Sequence, residues 1–318
     1  MTKIIVELCQ NHLGDRALLA RMISAAAENG AEYVKTQSIF SEDLTCRKQF
    51  ENGVVEHDGT VKVIKRPYQS EYERLSKLDL SIDDHLYFIK ECERHNVIPL
   101  TTIFARHRVL EIAKLPWPEK VVKVASYDCA SLPFLLELAE HFDHLIISTG
   151  ATYDHEIRKT AHTLAQKGVR VTLLHCVTSY PNTLEMANLK RMEWLKTFTH
   201  KVGWSDHTLV ERDKLIAAKV AFYLGADYIE RHFTILPREK TKDGPVSITP
   251  EELRELSEFR KLSASKQKDV LDHEYPDWEI LLGVPTRTMT RTELLNRDYY
   301  RGRFAHNHDD GTVVYNWE

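Results

Sequence analysis

Glycine and proline are scarce in this chain: twelve and eleven among 318 residues, about 7% together against the roughly 12% of an average chain. Collagen-like, low-complexity and disordered classes are thereby excluded. Cysteine is sparse as well. Cys9, Cys46, Cys92, Cys129 and Cys176 are an odd number scattered without a CxxC pair, which argues against a disulfide framework and for a reducing, cytoplasmic compartment. No run approaches the roughly 18 apolar residues of a membrane span, and the run between Lys3 and Glu7 is too short for a signal peptide. An excess of positive charge is missing too. Lys and Arg number 43 against 47 Asp and Glu, net −4, so no global field would hold nucleic acid or an anionic membrane, although a local basic pocket stays open.

What is present is a rhythm of short β-branched runs between longer amphipathic stretches. Strands are expected at Ile4–Leu8, at AEYVKTQ, at NVIPLTTIF, and at Lys120–Ser126, His144–Thr149, Val169–Cys176, His200–Ser205 and Ala226–Phe233. Helices are expected over Asp15–Glu28, where Leu18, Leu19, Met22, Ile23 and Ala26 repeat at three- and four-residue spacing, and over Ile82–His95, capped by Ser81. Ala105–Lys114, Leu132–His141, His155–Lys167, Asn188–Thr197, Val210–Leu224 and Pro250–Leu262 complete the set. Eight β/α units predict an α/β fold, a closed (β/α)8 TIM barrel over residues 1–265, with a C-terminal arm or extension over 266–318. A doubly wound sheet is the rival, but ELCQNHLG offers one glycine where that fold usually carries several.

Such barrels build their sites at the C-terminal ends of the strands. Those ends carry Glu7, Lys35 with Gln37, Thr102, Lys123 with Ser126 and Asp128, Ser148, Thr178 with Tyr180, Ser205 with His207, and Glu230 with His232. A strand-borne ammonium inside a barrel costs several kcal/mol unless an anion compensates it, so Lys35 and Lys123 either point outward between helices or want negative partners. With neighbouring hydroxyls they would suit a phosphate or carboxylate. His207 and His232 end consecutive strands and could share one divalent cation; read singly, each is an ordinary hydrogen-bonded histidine, the class to which His12 and His175 are assigned.

In order and spacing, VELCQNHLGD, YVKTQ, LLHCVTSYP, VGWSDHT and IERHFT resemble the sialic acid synthase family over Met1 to about Leu262. The resemblance implies condensation of phosphoenolpyruvate with an N-acylated amino sugar, N-acetylmannosamine-like, to a nonulosonic 2-keto-3-deoxy acid. It implies His207 and His232 as ligands of Mn2+ or Mg2+, acting as a Lewis acid on the sugar aldehyde. Lys35, Thr102, Lys123, Ser126, Ser148 and Ser205 would hold the donor, Gln37, Tyr180 and Asp243 would meet the acceptor, Thr178 would stand among the substrate-binding residues, and Glu7 and Asp128 would be the carboxylates nearest the reacting carbons. Family members usually carry glutamate where Asp128 stands, and GPD where this chain has TKD ending in Asp243. Their C-terminal antifreeze-like domain, which brings an arginine to the acceptor, is not recognisable; Arg287, Arg291, Arg301 or Arg303 would have to replace it. The family suggests a homodimer.

Two other readings stand beside the synthase: a Schiff-base pyruvate aldolase with Lys35 or Lys123 as nucleophile, and a non-catalytic anion-binding barrel. The polar segment from Ser38 to Leu80 reads as irregular, either a lid over the acceptor or a solvated excursion or oligomer contact. The tail motifs EYPDWEI, DYYRGRF and VVYNWE mix aromatics with arginine, which suits a docked arm or a subunit interface.

Overall fold

The period-two alternation of the apolar runs decides the architecture. Ile4 and Val6 pack outward into a large cluster with the helices, whereas Ile5 between them joins Tyr33, Leu100, Val121, Ile146, Leu174 and Tyr228 in a separate interior cluster. A strand buried on both faces in this way belongs to a parallel sheet covered by helices. In the computed structural model, which describes residues 2–318, eight parallel strands close into a barrel. They are Lys3–Glu7, Tyr33–Ser38, Ile98–Ile103, Val121–Val124, His144–Ser148, Arg170–Cys176, Lys201–Asp206 and Tyr228–His232. The last pairs with the first, His232 opposite Glu7. The interior position Gly203 is forced by space: a Cβ there would lie 2.2 Å from the Tyr228 carbonyl oxygen and 2.7 Å from Leu174.

Helix starts follow local chemistry. Asp15 accepts from the amides of Ala17 and Leu18 to open Arg16–Glu28, and Ser81 and Asp84 form a reciprocal capping box at Ile82–Arg94. Three expected helices are shorter or broken. Ala105–Lys114 is a 3-10 turn followed by Val109–Ala113, and Asn188–Thr197 is reduced to Arg191–Leu195. Val210–Leu224 divides into Val210–Asp213 and Ile216–Tyr223, because Lys214 takes a φ of +52°, which a right-handed helix cannot contain.

The segment after the second strand is not irregular. It holds the helix Gln49–Asn52, a hairpin of Val54–Val55 with Val61–Val63, and the helix Tyr68–Leu75. Each piece is too short to show a period, and their partner lies more than 200 residues away: the amide of Thr45 donates to Arg303 O at 2.9 Å, and Leu44 bridges to Phe304. Ile39, Leu44, Leu75, Ala105 and Phe304 form a small core of their own. The C-terminal segment is correspondingly ordered, with Ala264–Glu274, Arg291–Tyr300 and a hairpin of His306–Asn307 with Val313–Val314. A boundary at residue 265 falls inside the first of these helices. The segment docks on the barrel mouth, where Asn316 donates to Phe104 O at 2.8 Å. No helix among the described residues is long and apolar enough to cross a membrane.

Candidate active site

Above the apolar interior cluster the same alternation places polar side chains inside the barrel. They line a cavity of about 450 Å³, within the range of small-molecule sites. Its floor is a network of two ammonium and two carboxylate groups, all nearly inaccessible to solvent. Lys35 Nζ donates to Glu7 Oε2 and, at 3.1 Å, to Thr102 Oγ1, and it lies 3.7 Å from Glu230 Oε2. Lys123 Nζ donates to Ser148 Oγ at 2.6 Å and stands 3.8 Å from the other oxygen of Glu230. Ser205 Oγ donates to Glu230 at 2.7 Å.

The charges balance, which is what makes the burial affordable, but the two lysines are not equivalent. Burial pulls the Lys35 pKa down, and Glu230 and Glu7 together outweigh it, so the net direction is upward. For Lys123 burial wins over the more distant Glu230, Lys35 adds repulsion, and the pKa falls. Glu230, pushed up by burial, is held below the usual carboxylate range by Lys123 and Lys35.

Beside this floor the rings of His207 and His232 lie 5.4 Å apart, centroid to centroid, in an edge-on arrangement. Burial first and His232 second drive the His207 pKa well below 6.5, so the ring is neutral, its ligating form. Both Nδ1 atoms are buried without a hydrogen-bond partner. Asp243 joins the group: its carboxylate, the His232 ring and the Cys9 sulfur offer donor atoms within 4.8 Å of one another. The Cys9 thiol, raised by burial and then by Asp243, donates to Asp243 Oδ2 at 3.0 Å. Two imidazoles with a carboxylate suit a divalent cation such as Mn2+, so the residues fit the metal that the resemblance implies. Behind the rings, Asp206 and Arg231, strand neighbours of His207 and His232, form a fully buried ion pair of 2.7 Å.

The cavity wall also carries Gln37, Ser126, Asp128, Tyr180 and Asp243. Burial raises Asp128 to about 6 against the opposing hydrogen bonds from Asn316 and Ser131. Thr178 is the exception. Its side chain is not in the wall; it is buried beneath the helix Arg291–Tyr300, where Asn296 Nδ2 donates to its carbonyl at 2.8 Å, and Ser179 lines the cavity instead. Of the four tail arginines, Arg303 reaches the cavity, from the same chain. Arg287 is paired with Glu293, Arg291 with the Val61 carbonyl, and Arg301 lies toward Glu156. His12 and His175 lie outside the wall, bonded to Gly14 N and Ala187 O. Sequence reasoning gave no role to Glu230, although its place two residues before His232 puts both on the same strand face. Arg74, Lys242 and Asn316 also line the cavity without having been singled out; they come from loops and from far along the chain.

A family model described as the NeuB family matches residues 22–270. N,N'-diacetyllegionaminic acid synthase of Campylobacter jejuni is 31% identical over 293 residues, 85% of this chain and 82% of that protein. The protein of the same name from Legionella pneumophila is 29% identical over 313 residues, 94% of this chain and 81% of its own. The solved structure of the Bacillus subtilis spore coat polysaccharide biosynthesis protein SpsE matches with a TM-score of 0.69 at 26% identity, over 94% of this chain and 77% of that one. With two thirds or more of each relative covered and the family match spanning most of the barrel, the chain belongs to the NeuB family and is an enzyme of the sialic, legionaminic and pseudaminic acid synthase type.

Proposed function

We propose that the enzyme condenses phosphoenolpyruvate with the aldehyde of an open-chain N-acylated amino sugar, giving a nonulosonic 2-keto-3-deoxy acid and inorganic phosphate. The observation that carries this reading is the convergence of two buried ammonium groups, a ring of hydroxyls and two imidazoles on one cavity. Lys123, which donates to Ser148 Oγ and to the Val124 carbonyl, has one N–H left for the phosphate or carboxylate of the donor; Lys35, Thr102, Ser126, Ser148 and Ser205 complete the cradle. Gln37, Tyr180 and Asp243 face the acceptor. A divalent cation held by His207 and His232, with Asp243 at hand, would supply Lewis acidity to the carbonyl oxygen.

In the reaction, C3 of the enol bonds to the carbonyl carbon, water oxygen adds at C2, and the C2–O bond to phosphate breaks. Positive charge developing at C2 is offset by Glu7 or Asp128, fixed carboxylates in a site shielded from bulk water. The free thiols are in keeping with a cytoplasmic enzyme.

Phosphate release from phosphoenolpyruvate across a panel of N-acylated hexosamines, with manganese present, tests the reading; condensation undiminished by chelation would overturn the metal's place in it. A second reading has one observation in its favour: the lowered Lys123 pKa is what a Schiff-base nucleophile needs. Borohydride trapping with pyruvate separates the two, since the synthase forms no imine.

A further inference from the structure

Beside the two histidines lies a sulfur to which the condensation gives no part. Cys9 stands two residues past the first strand, Lys3–Glu7, and is buried, with a backbone φ of +48°. That left-handed conformation is uncommon outside glycine, asparagine and aspartate, so the thiol is held where its residue type is disfavoured. The amide of Cys9 donates to Glu7 Oε1 at 2.6 Å, which pins the turn to a carboxylate of the cavity floor. The Cys9 sulfur, the His232 ring and the Asp243 carboxylate each offer a donor atom within 4.8 Å of the others.

The grouping does not depend on the thiol's own hydrogen bond to Asp243. Asn11 Nδ2 donates to Phe233 O at 2.8 Å and to Ser247 Oγ at 3.0 Å, and Ser247 Oγ donates to Asp243 O at 2.7 Å. The amide of Ile248 donates to His232 O at 2.8 Å. Three chain regions are thereby locked together apart from the three donor side chains, as a preorganised site requires. Within it the His232 ring is 9% exposed, and its buried Nδ1 has no hydrogen-bond partner among the described residues. An unpaired polar atom in such a place is costly unless a ligand completes it. Cys92 and Cys129, by contrast, are packed into the apolar layer under the helices.

We propose that Cys9 is a sulfur ligand of the cation assigned to His207 and His232, so that the site selects a thiophilic metal of the zinc, cobalt or ferrous class over manganese or magnesium. The inference rests on the synthase reading for the cation's place and adds to its donor set. On binding, a metal–sulfur bond replaces the S–H bond and the proton passes to solvent. Thiolate and imidazole ligands favour such metals, whereas carboxylate and water favour magnesium and manganese. With the two histidines, Cys9 makes three protein ligands, the number that leaves a catalytic site one open position. Asp243, no longer hydrogen-bonded to the thiol, remains for the acceptor.

Cobalt binding tests this apart from turnover. The intact chain, stripped with a chelator and titrated with Co2+, should develop a near-ultraviolet charge-transfer band from thiolate to cobalt. Cys9→Ser should bind cobalt without that band. Cys9→Gly is the second variant, because a φ of +48° suits glycine and the change carries little folding risk; it too should lack the band. Competition of zinc against manganese, followed by calorimetry, should show the parent's preference for zinc falling tenfold or more in both variants, since even the outer partners of metal ligands are worth about 10–100-fold in affinity. A cobalt complex of the parent without the band, a band that survives in both variants, or a zinc preference that neither alters overturns the proposal. A parent chain that binds none of the three metals is a different result and overturns the cation's place in the synthase reading as well.

Discussion

Asn316 Nδ2 donates a hydrogen bond of 3.0 Å to Asp128 Oδ1, joining residues 188 positions apart in the chain. Ser131 Oγ donates to the same oxygen at 3.0 Å. The carboxylate nevertheless has its pKa raised to about 6, because burial outweighs both bonds.

A raised carboxylate pKa makes stability fall as pH rises. Below the unfolded value of about 3.9 both states hold the proton and Asp128 costs nothing. Between there and about 6 the folded state keeps a proton the unfolded chain has released, and above that the penalty is complete, about 3 kcal/mol by linkage. Asp128→Asn removes the titration, and its amide oxygen can still accept from Asn316 and Ser131. Chemical denaturation at pH 4 and pH 7 should show the variant gaining on the parent by up to about 3 kcal/mol over that window; a constant difference refutes the assignment.

How far such a site is legible in the sequence depends on how locally each part is specified. The strands are, since one residue of slip would turn every Ile and Val to the wrong face, and the strand-end residues from Glu7 to His232 came with them. Thr178 was misplaced because what covers it, Asn296 and Glu293, lies more than a hundred residues on. Asn316 and Arg74 were hidden for the same reason: no periodic pattern announces a side chain whose position is fixed by a short helix, Tyr68–Leu75, and a docked C-terminal segment, whereas Arg303 stood among four tail arginines between which the sequence offered no choice.

Lys123 and Lys35 should differ as donor ligands. Lys123→Met removes the ammonium with the looser counter-charge and should raise the phosphoenolpyruvate KM tenfold or more, the loss of one charge-assisted contact. Lys35→Met also leaves Glu7 without its partner, so it should weaken the donor and destabilise the fold by about 3 kcal/mol or more. Initial rates at varied donor and a denaturation curve for each variant check both; equal stability of the two variants contradicts the charge pairing.

His232→Ala should abolish turnover while leaving the denaturation midpoint close to the parent's, because the ring lines the cavity and its Nδ1 has no partner to lose. The accompanying check is manganese binding by calorimetry, which should be lost in His207→Ala and His232→Ala alike. Retained binding in either would move the cation toward Cys9 and Asp243.

The Asp206–Arg231 pair supports these rings without lining the cavity. Arg231 Nη1 lies 2.7 Å from Asp206 Oδ2 as an ion pair and donates to Thr208 Oγ1, and Asp206 Oδ1 accepts from the amide and hydroxyl of Thr208. All three side chains are inaccessible to solvent, so Arg231→Met strands a buried carboxylate, and such losses typically cost about 3–5 kcal/mol. Asp206→Asn strands the guanidinium instead and should be similarly destabilising. Replacing both charges at once, as Asp206→Asn/Arg231→Met, removes the stranded partner, so the double variant should be more stable than the sum of the singles predicts. A double-mutant cycle by urea denaturation measures that coupling; strictly additive effects would mean that the pair does not act as a unit in holding His207 and His232.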